Sequence, residues 1–509
     1  MKDIVLTADR TLMTNYNGLT AYGHVACLPD RLVPNSFLKL IFPKLRKEEA
    51  TYALRRMEAK LLDEGFDVAI LRPHELNKIN RIKPNIVGVS TVDPLTRKPH
   101  PWTLTNIFGG GESVTEKEFY YLLIKLNKLR KKQNFKIIVG GPGATEFEKK
   151  EKYFDLFDCA VIGTGEGTIK LFQKALNGEL LPRRFYSKSL DVEDLSIIHG
   201  PARLGHVQLT QGCPRGCQFC APTILKWISF PKDRILKEIE INLKNGVKSI
   251  SFITEDLFLY GSKDVEVNHK AILDLMNPIS QLKKKYNVSR VNISNVSIAS
   301  TVKGKKTCEK ITDLLGFSNE CPVDVVIGLE SGSERLIKKY MDGKAKPYNP
   351  DNWCELVKEG INILNDNHWY PICNLITGLP DENEEDVIKT LDLIDDLNKN
   401  NLFYYIFYFV PLEGSEMENS DFFIINNLTE RRWELFYKCW MHSIKSIKEN
   451  LNKFIKNPLQ KLIIKMSLNE IEKIIKKYQY DAFKMRDTFA SANLKGLNLI
   501  RSLAYKYLN

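Results

Sequence analysis

Between residues 208 and 220 the chain reads Gln208-Leu-Thr-Gln-Gly-Cys213-Pro-Arg-Gly-Cys217-Gln-Phe-Cys220, and no other stretch restricts its fold and chemistry so tightly. The apolar run His206-Val-Gln-Leu-Thr reads as a strand. Gly212, Pro214 and Gly216 then break regular structure, so the three cysteines belong to a tight loop. Their C-x3-C-x2-C spacing lets one loop bring three thiolates to one metal cluster. Three cysteine ligands on a four-iron cluster leave one iron without a protein ligand, and an open iron is a coordination site for a substrate or cofactor. Two plainer readings stand beside this one. A structural zinc site usually closes with four ligands in two pairs, and the sequence has no second C-x2-C pair. Buried core thiols would need no glycine or proline between them.

A chain of 509 residues exceeds one hydrophobic core, and about two to four domains are expected. Hydrophobic residues at 43% and charged residues at 27% place it among globular proteins rather than disordered ones. The start, Met1-Lys-Asp-Ile-Val-Leu-Thr-Ala-Asp, lacks the apolar core of a secretory signal, and no stretch has the length of a membrane span. A cytoplasmic protein is expected, with peripheral membrane contact as a further option. Ten cysteines without a secretory signal point to metal or thiol chemistry rather than a disulfide framework. Much of the formal charge of +12 lies after residue 420, on helical segments. It reads as a solvated basic face, with an anionic membrane surface or nucleic acid as the alternatives.

Residues 1–190 alternate strand and helix. Ile4-Val-Leu-Thr, Asp67-Val-Ala-Ile-Leu, Asn85-Ile-Val-Gly-Val-Ser, Lys136-Ile-Ile-Val-Gly-Gly and Asp158-Cys-Ala-Val-Ile-Gly are short apolar strands, and helices are expected over 49–64 and 116–130. Such alternation gives a doubly wound, Rossmann-like parallel sheet, with ligands beyond the carboxyl ends of its strands. Residues 94–113, with Trp102 and Gly109-Gly-Gly111, form an insertion at those ends that reads equally as a lid or a plug. Residues 200–420 repeat strand and helix six times, starting from the strand before Cys213, and predict a partial, TIM-like (β/α)6 barrel. Residues 421–509 form a basic helical C-terminal domain, whose helices either pack on the barrel or lie on a membrane face.

Several strand-end segments carry chemistry: Thr254-Glu255-Asp256, Gly328-Leu-Glu330-Ser331-Gly332-Ser333-Glu334, Gly378-Leu-Pro-Asp-Glu-Asn-Glu-Glu-Asp386 and Pro411-Leu-Glu-Gly-Ser415. Each also suits a helix N-cap, and both roles can hold together. In this order behind the cysteine loop, with Phe219 before its last cysteine, they resemble the radical S-adenosylmethionine (SAM) enzymes over roughly residues 80–420. Val87-Gly-Val-Ser, Val139-Gly-Gly-Pro-Gly-Ala and Gly163-Thr-Gly-Glu-Gly resemble the cobalamin-binding domain that precedes the barrel in many of them. The resemblance implies that Cys213, Cys217 and Cys220 hold a [4Fe-4S] cluster whose open iron binds SAM. It also implies that Glu255, Glu330 and Ser331 contact SAM and that the reduced cluster cleaves SAM to a 5′-deoxyadenosyl radical. An external electron donor of the ferredoxin or flavodoxin type would supply the electron.

The departures matter as much. The Asp-x-His-x-x-Gly cobalt-ligand motif is missing, since the candidate Arg72-Pro-His74-Glu-Leu lacks its aspartate and glycine. Two readings stay open: cobalamin held without a histidine ligand, and a domain that no longer binds it. Asp381 replaces a glycine of the fifth-strand motif, and Thr254-Glu255-Asp256 keeps only the acidic character of a Gly-Gly-Glu segment. Cys308, Cys321, Cys354 and Cys373 lack the short spacing of a ferredoxin-type loop and read as buried thiols rather than a second cluster. The expected activity is hydrogen abstraction from an unactivated carbon leading to C–C bond formation. The resemblance to archaeal members, some of which modify membrane-lipid chains, names an isoprenoid lipid as the substrate. The alternatives are a cobalamin-dependent C-methyltransferase and a nucleic-acid-binding or RNA-modifying protein, for which the positive charge is the only support.

Overall fold

The computed structural model describes residues 3–18, 20–455 and 457–491. Two residues of the N-terminal run, Met1 and Lys2, and residues 492–509 of the expected C-terminal domain lie outside the described residues. The chain divides into two compact units, one of Met1–Thr105, Gly110–His206 and Lys237–Val247, the other of Asn106–Gly109, Val207–Leu236 and Lys248–Asn509.

In the first unit, β1 (Ile4–Ala8), β2 (Val68–Ile70), β3 (Ile86–Ser90), β4 (Lys136–Gly140), β5 (Cys159–Gly163) and β6 (Arg184–Ser187) form one parallel sheet in the order β2-β1-β3-β4-β5-β6. Alternation along the strands gives each face its own core. Val5, Val87 and Ile137 pack with Phe119, Leu123 and Leu126 of helix Val114–Arg130, while Ile4, Ile86 and Ile138 pack with Leu54 and Leu61 of helix Tyr52–Asp63. Both helices start on side-chain caps: Thr51 Oγ1 accepts from Leu54 N at 3.3 Å and Ser113 Oγ from Glu116 N at 3.2 Å. Helix placement agrees with the sequence reading to within a few residues. Strand β6 was not expected, because its Arg-Phe-Tyr-Ser lacks an apolar run; as an edge strand it is mostly half-buried.

The second unit holds β7 (His206–Gln208), the short pair β8 (Thr210–Gln211) and β9 (Ile228–Ser229), then β10 (Ser249–Ile253), β11 (Arg290–Ile293), β12 (Val323–Glu330), β13 (Trp369–Thr377) and β14 (Phe403–Tyr408). The strands form two three-stranded sheets, β11-β10-β7 and β12-β13-β14, joined where Asn295 bridges Val326. The result is the open six-strand arc that the sequence predicts. Helix Glu430–Phe454 covers the outer face of β14: Ser443 Oγ accepts from Tyr404 N at 2.9 Å, and the rings of Tyr408 and Phe436 lie 5.5 Å apart. Pro458–Lys477 is a single helix, and the C-terminal helices group with the strands in the second unit. Among the described residues no helix is long and apolar enough to cross a membrane.

Candidate active site

The cysteine loop leaves β8 and returns through β9, so the antiparallel pair Thr210↔Ser229 and Gln211↔Ile228 closes its base. Gly212 is required there. Its φ is +77°, and a Cβ would lie 2.6 Å from the Leu225 carbonyl oxygen and 2.7 Å from that of Lys226. Within the loop, Cys220 N donates to the Cys217 carbonyl at 3.1 Å and Thr223 Oγ1 to the Cys220 carbonyl at 2.6 Å. Cys217 is buried, and Cys213 and Cys220 are half-buried. Desolvation pushes the Cys213 thiol up to about 11 and raises Cys217 and Cys220 as well; Lys344 opposes the shift at Cys217 and Cys220, and Arg215 opposes it at Cys213 and Cys217. Among the described residues no three His, Cys, Asp or Glu side chains are drawn close enough to hold a bare metal ion.

Arg215, between the first two cysteines, fastens the loop to the barrel. Its Nη1 lies 3.0 Å from the Gly343 carbonyl oxygen, 3.2 Å from that of Lys344 and 3.1 Å from that of Lys346. Its Nη2 donates to Asp256 at 3.3 Å, just past β10, where Ser300 Oγ also donates at 2.8 Å. A Cβ on Gly343 would run into the Arg215 carbonyl, so this close approach needs glycine. Arg215 Nε is buried and finds no acceptor among the described residues. That orphaned donor inside the cysteine loop fits sulfur acceptors, so the donor set suits an iron–sulfur cluster on the three thiols.

The structure brings the other expected site residues to the same end of the arc and separates their roles. Glu255 follows β10; its amide donates to Thr210 Oγ1 at 3.3 Å, while its carboxyl is solvent-accessible yet raised above the usual range by the protein around it. Its charge is felt by Cys220. Glu330, at the end of β12, is buried with φ +66° and accepts from Lys344 Nζ at 3.0 Å. The Ser331 hydroxyl is spent inside its turn, accepting from Ser333 N at 3.1 Å and meeting Thr390 Oγ1 at 3.2 Å. The next motif is stitched to that turn: Ser333 Oγ donates to Asp386 at 2.6 Å, and Arg335 donates to Asp386 and to the Asp381 carbonyl. Asp381 holds φ +61°, the conformation of the glycine it replaces. Sequence reasoning missed Arg215 and Lys344; the sole signal was that Arg215 stands among the cysteines.

Two further surfaces bear on function. Along β14, Tyr404 and Tyr408 face the covering helix, so Phe403, Tyr405 and Phe407 face the inside of the arc. They are half-buried, with ring centroids 4.5 and 6.0 Å apart, and pair in register with Ile372, Asn374 and Ile376 of β13. In the first unit the strand order reverses between β1 and β3, the place where doubly wound sheets take ligands. Segments after those two strands meet there: His24 Nδ1 lies 3.1 Å from His100 Nδ1, on helix Pro99–Ile107 of the 94–113 insertion. The neighbouring glycine turn packs closely on the segment after β3, since Cβ atoms on Gly141 and Gly143 would collide with the backbone of Thr91 and Val92. His74 sits in the short helix Pro73–Lys78, behind an Arg72 already paired with Glu75. Cys308 and Cys373 are buried, whereas Cys321 is exposed and Cys354 half-buried, which corrects the reading of all four as buried thiols.

Comparison with known proteins agrees with this anatomy. A family model described as the Radical SAM superfamily matches residues 207–394. Among curated proteins, an uncharacterized protein of Methanocaldococcus jannaschii is 26% identical over 58% of this chain and 66% of its own length. The ribosomal protein uS12 methylthiotransferase RimO of Protochlamydia amoebophila is 25% identical over 64% of this chain and 65% of its own. The tRNA-2-methylthio-N(6)-dimethylallyladenosine synthase of Thermosipho melanesiensis is 26% identical over 59% and 65%. The chain thus spans about two thirds of the length of the curated relatives it matches. Among solved structures, the radical SAM methyltransferase TsrM of Kitasatospora setae, with cobalamin and a [4Fe-4S] cluster bound, shares the fold at a TM-score of 0.52 and 15% identity, over 82% of this chain and 74% of that one.

Proposed function

We propose that this chain, whose residues 207–394 match the radical SAM domain, cleaves SAM reductively and abstracts one hydrogen atom from each of two unactivated carbons, one SAM per hydrogen, so that the two carbons join. The observation that carries the reading is the cysteine loop, pinned by Arg215 at the end of the arc where Glu255 is presented. Cys213, Cys217 and Cys220 would hold the [4Fe-4S] cluster. When bound, that cluster supplies the electron that breaks a carbon–sulfur bond of SAM. Glu255 would take the SAM ammonium group, for which an accessible carboxyl is suited. Glu330 and Ser331, whose polar atoms are engaged internally, would act by shaping the turn that SAM lies against.

The substrate would lie along Phe403, Tyr405 and Phe407, with Ile372 and Ile376 beside them, a wall that suits an apolar chain such as an isoprenoid and keeps water from a carbon radical. Coupling is favoured over cobalamin-dependent methylation because the cobalt-ligand motif is absent and the insertion helix Pro99–Ile107 meets His24 through His100 beyond β1 and β3. The methylthiotransferases favour a second reading, modification of RNA or of a ribosomal protein. Sulfur insertion needs a sulfur donor, and the first unit has only Cys27 and Cys159, too few thiols for a second cluster.

Anaerobically reconstituted protein should hold about four irons per chain and release 5′-deoxyadenosine from SAM. Cys213→Ala, Cys217→Ala and Cys220→Ala should each abolish that release, with little added by combining them. Release at the parental rate by all three would sink the reading. Products made with methyl-labelled SAM separate the branches, since transferred label means methylation or methylthiolation and an unlabelled new C–C bond means coupling. A filter-binding titration against tRNA at two salt concentrations tests the RNA reading.

A further inference from the structure

The cysteine loop is flanked by two buried cations, and each is balanced by one carboxylate. Arg215 is paired with Asp256 and Lys344 with Glu330, at 3.3 and 3.0 Å. The arginine mainly fastens the loop. The lysine is harder to explain as structure alone, because Lys344 is 9% exposed and burying an ammonium on a flexible stem costs several kcal/mol before any contact is made. Its Nζ donates to the Gly328 carbonyl at 3.1 Å and to Glu330 Oε1, which uses two of its three N–H groups. The backbone around it is held to the cysteine loop, since the carbonyls of Gly343, Lys344 and Lys346 surround Arg215 Nη1. Gly328 leaves the room: a Cβ there would lie 2.5 Å from Lys344 Nζ. The fold therefore goes to some length to hold one ammonium in the turn that is packed on the cysteine loop through Gly343 and Arg215.

We propose that the Lys344–Glu330 pair is the electrostatic setting of the cluster, the ammonium stabilising the added electron and Glu330 holding that ammonium in place. This rests on the reading that Cys213, Cys217 and Cys220 hold a four-iron cluster. The potential of such clusters follows net charge and hydrogen bonds to sulfur, and a fixed cation nearby favours the reduced form, which carries one more negative charge. Removing the positive member makes reduction harder, removing the negative member makes it easier, and removing both restores the balance. A lysine that served only to pack the turn would move stability and leave the potential where it was.

The test is a spectroscopically monitored redox titration of reconstituted full-length protein without SAM, for the parent, Lys344→Gln, Glu330→Gln and the double variant. Iron content is measured on each sample. Lys344→Gln is expected to lower the ratio of reduced to oxidised cluster at fixed potential by about tenfold, which is about 59 mV for one electron. Glu330→Gln should shift it the opposite way, and the double variant should fall near the parent. Should Lys344→Gln fail to load iron, Glu330→Gln carries the test alone, and no positive shift there overturns the proposal. Singles that shift in the same direction, or not at all with four irons present, also overturn it. A parent that loads no four-iron cluster would instead overturn the underlying reading of the cysteine loop, and the proposal with it.

Discussion

Arg215→Met replaces the buried fork that ties the cysteine loop to residues 343–346 with a side chain of similar reach and no donors. The guanidinium is 5% exposed, so little solvent screens it. Nη1 has two hydrogens for three carbonyl oxygens at 3.0 to 3.2 Å, so two of those bonds are fully formed at any moment. Asp256 loses its cation but keeps Ser300 and the Phe258 amide, at 2.8 and 3.2 Å, which softens the loss. Breaking one side of such a buried pair costs about 3–5 kcal/mol. With a urea slope of about 3 kcal/mol/M, the unfolding midpoint should fall by about 1–1.7 M. Apparent affinity for iron should drop about 10–100-fold, the range for partners that orient metal ligands. Arg215→Lys keeps the charge without the fork and should fall between the two. The assay is urea unfolding of the cluster-free protein followed by iron loading under limiting iron. An Arg215→Met protein with the parental midpoint and parental loading would refute the carbonyl cradle as the anchor of the loop.

Other outcomes follow from single residues. Gly212→Ala should block cluster loading, because φ +77° costs about 1–2 kcal/mol for an L-residue and the new Cβ meets two carbonyl oxygens; Gly216→Ala, at φ +68° with open space around it, should load normally, and equal behaviour of the two would contradict the geometry. Asp9 is raised from 3.8 to about 6 by burial, with Glu118 adding to the rise, so the fold favours its protonated form. Its destabilising effect is absent below the unfolded value and fully present above about pH 6. Asp9→Asn should therefore be more stable than the parent at pH 7.5, by at most about 3 kcal/mol at 1.36 kcal/mol per unit of pKa, and the gap should close by about pH 4; a gap that does not change with pH counts against it. Incubation with hydroxocobalamin and desalting should leave no corrin spectrum in the parent or in His74→Ala, and stoichiometric retention would count against coupling and for the methyltransferase reading.

Much of the fold was legible because its signals are local. Five of the six strands of the first sheet are short apolar runs, four of them ending in glycine, serine or alanine, and helices between them begin on Thr51 and Ser113. Strand β6 has no such run and is specified by pairing with β5, a contact that sequence periodicity does not encode. The same limit applied at the site. The three cysteines and the acidic motifs announce themselves by spacing, whereas Lys344 lies in a Met-Asp-Gly-Lys-Ala-Lys stretch that reads as an ordinary exposed turn. Only the folded chain shows that Gly343 packs on Arg215 and turns that stretch inward. Glu330 and Ser331 were legible as residues of the site but not as to what they touch.

The partners of the acidic residues divide them in a way that bears on the ligand. Asp256, Glu330, Glu382 and Asp386 are each met by a cation from a distant segment: Arg215, Lys344, Arg432 and Arg335. These four carboxylates are part of the frame, since a buried charge persists only when paired and hydrogen-bonded. Glu255 differs: it forms no ion pair among the described residues, it stays accessible, and burial of its surroundings raises its pKa. Of these five carboxylates Glu255 alone has no cation among the described residues, which leaves a place for one that the protein does not supply. SAM carries two positive charges, a sulfonium and an ammonium, against one carboxylate. Its net charge matches what Glu255 lacks. The selectivity of the site would then come from the balance of charge as much as from shape, and the paired carboxylates would matter by keeping Arg215 and Lys344 from neutralising Glu255 in place of the ligand.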